Sequence, residues 1–333
     1  MKTTPSSLLL TWQEIFEPIH SEMDWVEQQF RTGLVSSVSP VTAIGEYLQV
    51  SGGKRIRPAL LLLSSKMCGA TSAAAVQLGT VMEMIHTATL VHDDVIDGAE
   101  LRRGRPSTNL RWGNHASVLA GDWLYMQAFK IALQERNFRV LDILIDMTQL
   151  MIEGELIQWN LIGRLDLTVQ QHLDLIYRKT ACLLEACARM GAVLADRDSE
   201  TEHRLAEYGK NLGMAFQLVD DLLDFTASEE VLGKPVGSDL REGKVTLPLI
   251  YLLDRCTQQE QNTIAKVVEE RAFHAVPWED VLEIVHRYQT LERVKQDARF
   301  YSHKAAQHLD HFPDSPYIRA LRLLPDLVVN RES

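Results

Sequence analysis

Long apolar runs are missing from this chain of 333 residues. None approaches the roughly 18 consecutive apolar residues that a bilayer-spanning helix requires. The Leu8-Leu9-Leu10 run is short and soon followed by Glu14 and Glu17, which is not the form of a secretory signal. Cysteine is scarce, and Cys68, Cys182, Cys187 and Cys256 include no Cys-x-x-Cys pair. Neither a zinc site nor a disulfide framework is therefore expected, and reduced core thiols in a cytoplasmic protein remain. Positive charge is in deficit: 34 Lys and Arg against 45 Asp and Glu give a formal net charge of −11. That balance argues against non-specific nucleic-acid binding and against electrostatic attachment to anionic lipid. Strand-like alternation is also scarce, no Pro-, Gly- or Ser-rich linker divides the chain, and no repeat of 20–50 residues recurs.

What the chain does have is apolar residues at helical spacing almost throughout, with 46% hydrophobic residues, enough for a large core. The expectation is one all-α domain over residues 1–333. Trp12, Ile15, Phe16, Ile19 and Met23 predict an opening helix bent at Pro18, and Val41 to Leu48 a short second one.

One stretch organises the rest. Met84 to Pro106 begins as an apolar helical run and places Asp93, Asp94 and Asp97 at its polar end. Asp93 and Asp97 are four apart, so their carboxylates share a helix face. Arg102, Arg103, Gly104 and Pro106 follow and stop the helix. A second triplet, Asp220, Asp221 and Asp224, repeats the spacing behind another apolar helix. One such triplet is commonly a solvated face. Two of them, each at the end of an apolar approach, are costly without a compensating cation.

Basic residues fall where an anion would need them. Lys54, Arg55 and Arg57 follow two glycines at the start of a helix through Met67, where free backbone N–H groups favour anions. Taken alone this is an ordinary solvated loop, and it is not a P-loop. His86 lies two turns before Asp93, so it is as fit to face a substrate as to be a satisfied core histidine. Glu153-Gly154-Glu155 and Gln158 interrupt another apolar helix, and Lys179 with Thr180 sits early in a helix running to Leu194. A Gly- and Pro-containing loop from Leu232 to Pro248 offers Lys234 and Lys244 as phosphate-facing groups. Past Leu249 the chain reads as packing helices.

These parts suit a greasy diphosphate held by magnesium, which prefers oxygen ligands shared between carboxylates and phosphate. Metal would stabilise a departing pyrophosphate, and apolar helices would keep water from the carbocation left behind. Lys54, Arg57, His86 and Arg103 would hold a second diphosphate whose alkene attacks.

Gly52-Gly-Lys-Arg-Ile-Arg-Pro58, Asp93-Asp-Val-Ile-Asp97 with Leu101-Arg-Arg-Gly104, Gly121-Asp122, Lys179-Thr180, Phe216-Gln-Leu-Val-Asp-Asp-Leu-Leu-Asp224, Gly233-Lys-Pro235 and Asp239 to Pro248 occur in this order. In this the chain resembles the trans-polyprenyl diphosphate synthase family, most closely its long-chain, octaprenyl-type members. The resemblance implies an all-α isoprenoid-synthase bundle, usually a homodimer, that condenses isopentenyl diphosphate onto an allylic diphosphate. It assigns Lys54, Arg57, His86 and Arg103 to isopentenyl diphosphate, and Arg102, Lys179, Thr180, Gln217 and Lys234 to the allylic diphosphate. It makes Asp93, Asp97 and Asp220 the main magnesium ligands, with Asp94, Asp221 and Asp224 in support.

In that family the residues four and five before the first Asp help to set product length. Here they are Thr89 and Ala88, both small, so the expected product is long, with quinone side chains as the leading use. Ile85 and Met82 lie deeper, and Met82 or Met126 is the expected tunnel floor unless both are plain core residues. Peripheral membrane contact at product release is the most membrane involvement expected. The alternatives are a short-chain synthase, the catalytic half of a heteromer, a terpene cyclase, or a non-catalytic partner subunit. A cyclase needs no Gly-Gly-Lys-Arg segment, and a non-catalytic subunit would be expected to lose its acidic motifs.

Overall fold

The computed structural model describes residues 12–50, 53–227 and 236–331. Helices follow one another with short connections. The chain opens with α1 (Trp12–Phe16), α2 (His20–Gly33), α3 (Ser39–Val50), α4 (Ile56–Cys68) and α5 (Ser72–Ile96). A two-stranded hairpin, β1 (Leu101–Arg102) and β2 (Arg105–Pro106), leads to α6 (Thr108–Trp112), α7 (Asn114–Gln134), α8 (Phe138–Leu161) and α9 (Val169–Ile176). Then come α10 (Cys182–Leu194), α11 (Ser199–Thr226), α12 (Ser238–Arg241), α13 (Leu247–Leu253), α14 (Gln258–Glu270), α15 (Trp278–Arg287), α16 (Thr290–Gln307) and α17 (Pro316–Val329). The expectation of an all-α fold holds. The bend at Pro18 is a 3-10 turn, Glu17–Ile19, between α1 and α2. Among the described residues no helix is long and apolar enough to cross a membrane.

The centre is α4. Ala59, Leu60, Leu61, Leu62 and Leu63 are consecutive and all fully buried, as expected of a helix surrounded by others rather than laid on a surface. Helix α5 beside it buries Met82, Met84, Ile85 and Ala88 completely. Close approach is bought by missing side chains: a Cβ on Gly191 of α10 would lie 2.5 Å from Ser64 Cβ on α4. One apolar cluster joins α2, α4, α5, α7, α8, α10 and α17. A second joins the last turns of α11 to α13, α14, α15 and α16, and Tyr177 and Tyr301 pack against both.

Two local departures matter for the site. The helix expected from Tyr177 begins as a π-turn, Tyr177–Ala181, before α10. The Arg102-Arg103-Gly104 stop is a hairpin in which Arg102 pairs with Arg105. Its two turn residues, Arg103 and Gly104, have φ of 52° and 73°. Two positive φ values match the twist of the flanking strands, but at Arg103 a non-glycine residue bears the strain.

Candidate active site

The first acidic motif closes α5. Asp94 is 2% exposed, and its Oδ1 accepts from Arg102 Nε at 2.6 Å. Asp97 caps the helix, its N–H donating to the Asp93 carbonyl at 2.8 Å. Its Oδ1 lies 3.3 Å from Lys244 Nζ, which also reaches Glu242 at 2.5 Å. Burial opposes the Lys244 charge, but Glu242 and Asp97 hold that ammonium above its ordinary range. Asp93 is different: burial pushes its carboxyl up to about 6, Glu155 and Asp97 add to the rise, and Lys179 only partly offsets it. It is a carboxylate short of positive charge.

Lys179 reaches this place from the π-turn. Its ammonium is held by Glu155 at 2.6 Å and donates to Gln158 at 3.0 Å, so the charges that interrupt α8 are anchors for the next element. Gly154 between them is required by contact, since a Cβ there would lie 2.9 Å from Arg178 Cβ and 3.2 Å from the Lys179 nitrogen.

The second motif ends α11, and its three carboxylates part company. Asp220 has a side chain 42% exposed and meets Arg331 Nη2 at 2.5 Å. Asp221 is 2% exposed, and its two oxygens accept from Gln217 Nε2 and His172 Nε2, each at 3.0 Å. Asp224 is 1% exposed, and accepts from Ser238 Oγ at 2.8 Å and the Asp239 N–H at 3.1 Å. The resemblance gives Asp221 and Asp224 a supporting part, and here both are engaged by protein donors. Ser238 and Asp239, at the start of α12, hold Asp224, while His172 of α9 holds Asp221. Only Asp220 of this triplet is presented outward.

The basic residues converge as expected. Burial comes first, then Arg57, Arg103, Arg102 and Arg55, in holding His86 well below the ordinary imidazole range. Burial and the Arg331 charge lower Lys54, with Asp220 opposing. Among the described residues Arg57 Nε is buried without a hydrogen-bond partner. Arg55 turns away to Glu27 at 2.5 Å and Glu83 at 2.6 Å. His86, Arg102, Arg103 and Asp94 line one cleft. A Cβ on Gly53 would lie 3.0 Å from Arg103 Nη1, so that glycine leaves room for the guanidinium. Crowded, partly desolvated cations of this kind are relieved by a polyanion.

Of the other expected residues, Thr180 Oγ1 donates to Gln217 Oε1 at 2.8 Å. Lys234 lies outside the described residues. Met82, Ile85 and Ala88 are buried below the cluster, and Thr89 Oγ1 is tied to the His86 carbonyl at 2.7 Å. Met126 is corrected: it is 64% exposed, because the inward face of α7 carries Gly121, Leu124 and Ala128. The tunnel floor is not built from Met126 within this chain. Two residues went unnoticed in the sequence. Arg331, beyond the last helix, reaches Asp220 and the Phe216 carbonyl at 2.7 Å, although the tail reads as packing alone. His172 is a lone histidine on an amphipathic helix. Neither carries a spacing signal.

Among the described residues no three Asp, Glu, His or Cys side chains converge into a ready-made metal cage. Magnesium is commonly held by one or two carboxylates plus substrate phosphate and water. Hard oxygen donors on Asp93 and Asp97, with Asp220 on the other helix, fit such an ion, and the raised Asp93 carboxyl is what a nearby cation would relieve.

Known proteins resemble this chain over nearly its whole length. The chain is 38% identical to an octaprenyl diphosphate synthase of Escherichia coli K12, over 96% of this chain and 99% of that one. It superposes with TM-score 0.93 and 34% identity on a polyprenyl synthase from Caulobacter crescentus, in complex with calcium and isoprenyl diphosphate, covering 98% and 100% of the two chains. A decaprenyl diphosphate synthase from Rhodobacter capsulatus gives TM-score 0.91 at 33% identity, over 97% and 100%. The family profile described as polyprenyl synthetase matches residues 38–285. That span takes in both acidic helix ends and the cation cluster between them, and it places this chain in the polyprenyl synthetase family.

Proposed function

We infer that this chain is a magnesium-dependent trans-prenyltransferase that extends an allylic diphosphate with isopentenyl diphosphate to an all-trans product of octaprenyl class. The observation that carries the reading is the pairing of two acidic helix ends with a crowded cluster of Arg57, His86, Arg102 and Arg103. Magnesium, when bound, supplies the positive charge that a departing pyrophosphate needs. Asp93, Asp97 and Asp220 would hold it. Arg102, Lys179, Thr180 and Gln217 orient the allylic diphosphate, together with Lys234 and Lys244. Lys54, Arg57, His86 and Arg103 seat isopentenyl diphosphate with its alkene toward the ionising carbon. The C–O bond breaks, the alkene forms the new C–C bond, and the proton lost goes to the departing pyrophosphate. The apolar wall of α5 excludes water meanwhile.

Ala88 and Thr89 leave room for chain growth along α5, which supports a long product and use in quinone side chains. Fold and site lie on one folding unit, because α11 carries the second acidic motif and feeds both apolar cores. We place the enzyme in the cytoplasm as a homodimer. Leu119, Met126 and Leu133 on α7, and Phe138, Ile145, Ile152 and Trp159 on α8, are exposed and recur every seven residues. That is the seam of a helix pair awaiting another, and a second copy supplies the same seam by a two-fold axis. Incubation with magnesium, farnesyl diphosphate and labelled isopentenyl diphosphate, followed by sizing of the dephosphorylated product, tests the activity. Equilibrium sedimentation tests the dimer.

A further inference from the structure

We propose that His172 is a positioning residue for the second acidic motif. It fixes Asp221, and through Asp221 it fixes Gln217 and Thr180. The proposal rests on the prenyltransferase reading above.

His172 lies on α9 and is 4% exposed. Its Nε2 is 3.0 Å from Asp221 Oδ2. Facing a carboxylate, Nε2 must carry the proton, since a lone pair there would be repelled. Among the described residues its Nδ1 is buried with no hydrogen-bond partner, and the polar contact of this ring is the one to Asp221. The other Asp221 oxygen accepts from Gln217 Nε2, and Gln217 Oε1 accepts from Thr180 Oγ1 at 2.8 Å. A continuous chain of hydrogen bonds, His172–Asp221–Gln217–Thr180, thus links α9, α11 and the π-turn. It also sets which way the Gln217 amide faces.

Without the imidazole, Asp221 Oδ2 would be a buried anionic oxygen with no donor. Turning from α9 toward another donor relieves it. Gln217 would then lose its acceptor, and Thr180 its fixed partner. The loss falls on the metal–diphosphate side of the site. Lys54, Arg57 and Arg103 are not members of this chain of bonds.

The test uses the full-length protein, Mn2+ in place of magnesium, and inorganic pyrophosphate as the probe, with bound Mn2+ read by electron paramagnetic resonance. Wild type should bind Mn2+ in a pyrophosphate-dependent way. His172→Ala should need about 10-fold more Mn2+ for half-saturation, the low end of the cost of losing a hydrogen-bond partner behind a metal site. His172→Gln, whose amide nitrogen reaches where Nε2 stood, should recover most of the affinity, and the shorter His172→Asn should not. Steady-state kinetics should show lower kcat and a higher KM for the allylic substrate, with the KM for isopentenyl diphosphate unchanged. Wild-type Mn2+ affinity in folded His172→Ala would overturn the proposal while leaving the prenyltransferase reading intact. So would equal behaviour of the Gln and Asn variants, a comparison that decides the matter even if His172→Ala does not fold. No pyrophosphate-dependent Mn2+ binding by wild type would overturn both.

Discussion

Asp93 and His86 sit on the same helix and are pushed in opposite senses by their surroundings. Burial raises the Asp93 carboxyl from 3.8 to about 6, so the folded chain takes up a proton there more readily than the unfolded chain. Its contribution to stability falls as pH rises through that interval and is lowest at neutral pH. Asp93→Asn should therefore stabilise the ligand-free protein by about 1–3 kcal/mol at pH 7, measured by urea unfolding, while turnover collapses. His86 is depressed below its reference of 6.5. As pH falls through that value the unfolded chain gains a proton that the folded chain refuses, so stability falls with it. His86→Gln should remove that acid loss, and the gap between variant and wild type in unfolding experiments should widen from pH 7 to pH 5. The two acidic helix ends were legible in the sequence because the triplet occurs twice. The partners of Asp221 and Asp224 were not, since His172 and Ser238 reach them from other elements.

At the scale of elements, the site depends on how closely helices approach. A Cβ on Gly154 would press on Arg178 and on the Lys179 backbone. Gly154→Ala should shift the π-turn and raise KM for the allylic diphosphate by about tenfold, the worth of one charged hydrogen bond, with a smaller effect on isopentenyl diphosphate. Steady-state kinetics with each substrate varied in turn would reveal the split. Ala88 is fully buried one turn beyond Ile85. Ala88→Phe should fill the tunnel and shorten the product, seen directly by chromatography, and unchanged length would contradict the tunnel assignment. The helices themselves were readable from apolar spacing. The π-turn was not, because one extra residue in a turn hardly disturbs that spacing. Met126 was misplaced for a related reason: α7 is apolar on both faces, so periodicity alone cannot tell the inner face from the outer one.

At the scale of the whole molecule, α11 supplies side chains to both apolar cores and ends at the second acidic motif. The first motif, on α5, is tied to the loop after α11 by the Lys244–Asp97 contact. Opening either core should therefore loosen the site. The exposed heptad seam on α7 and α8 predicts that Ile145→Glu combined with Ile152→Glu gives a folded monomer, seen as a halved mass in equilibrium sedimentation. Composition and motif order were enough to read the all-α class and the kind of site. The tail's return to Asp220 through Arg331 had to be seen in three dimensions. The most direct test of the account is the reaction of purified protein with magnesium, farnesyl diphosphate and labelled isopentenyl diphosphate, with the dephosphorylated products sized. A discrete long product near octaprenyl length is the predicted result. A product stopping at geranylgeranyl length would contradict the long-chain assignment, and no incorporation by folded protein would contradict the prenyltransferase reading itself.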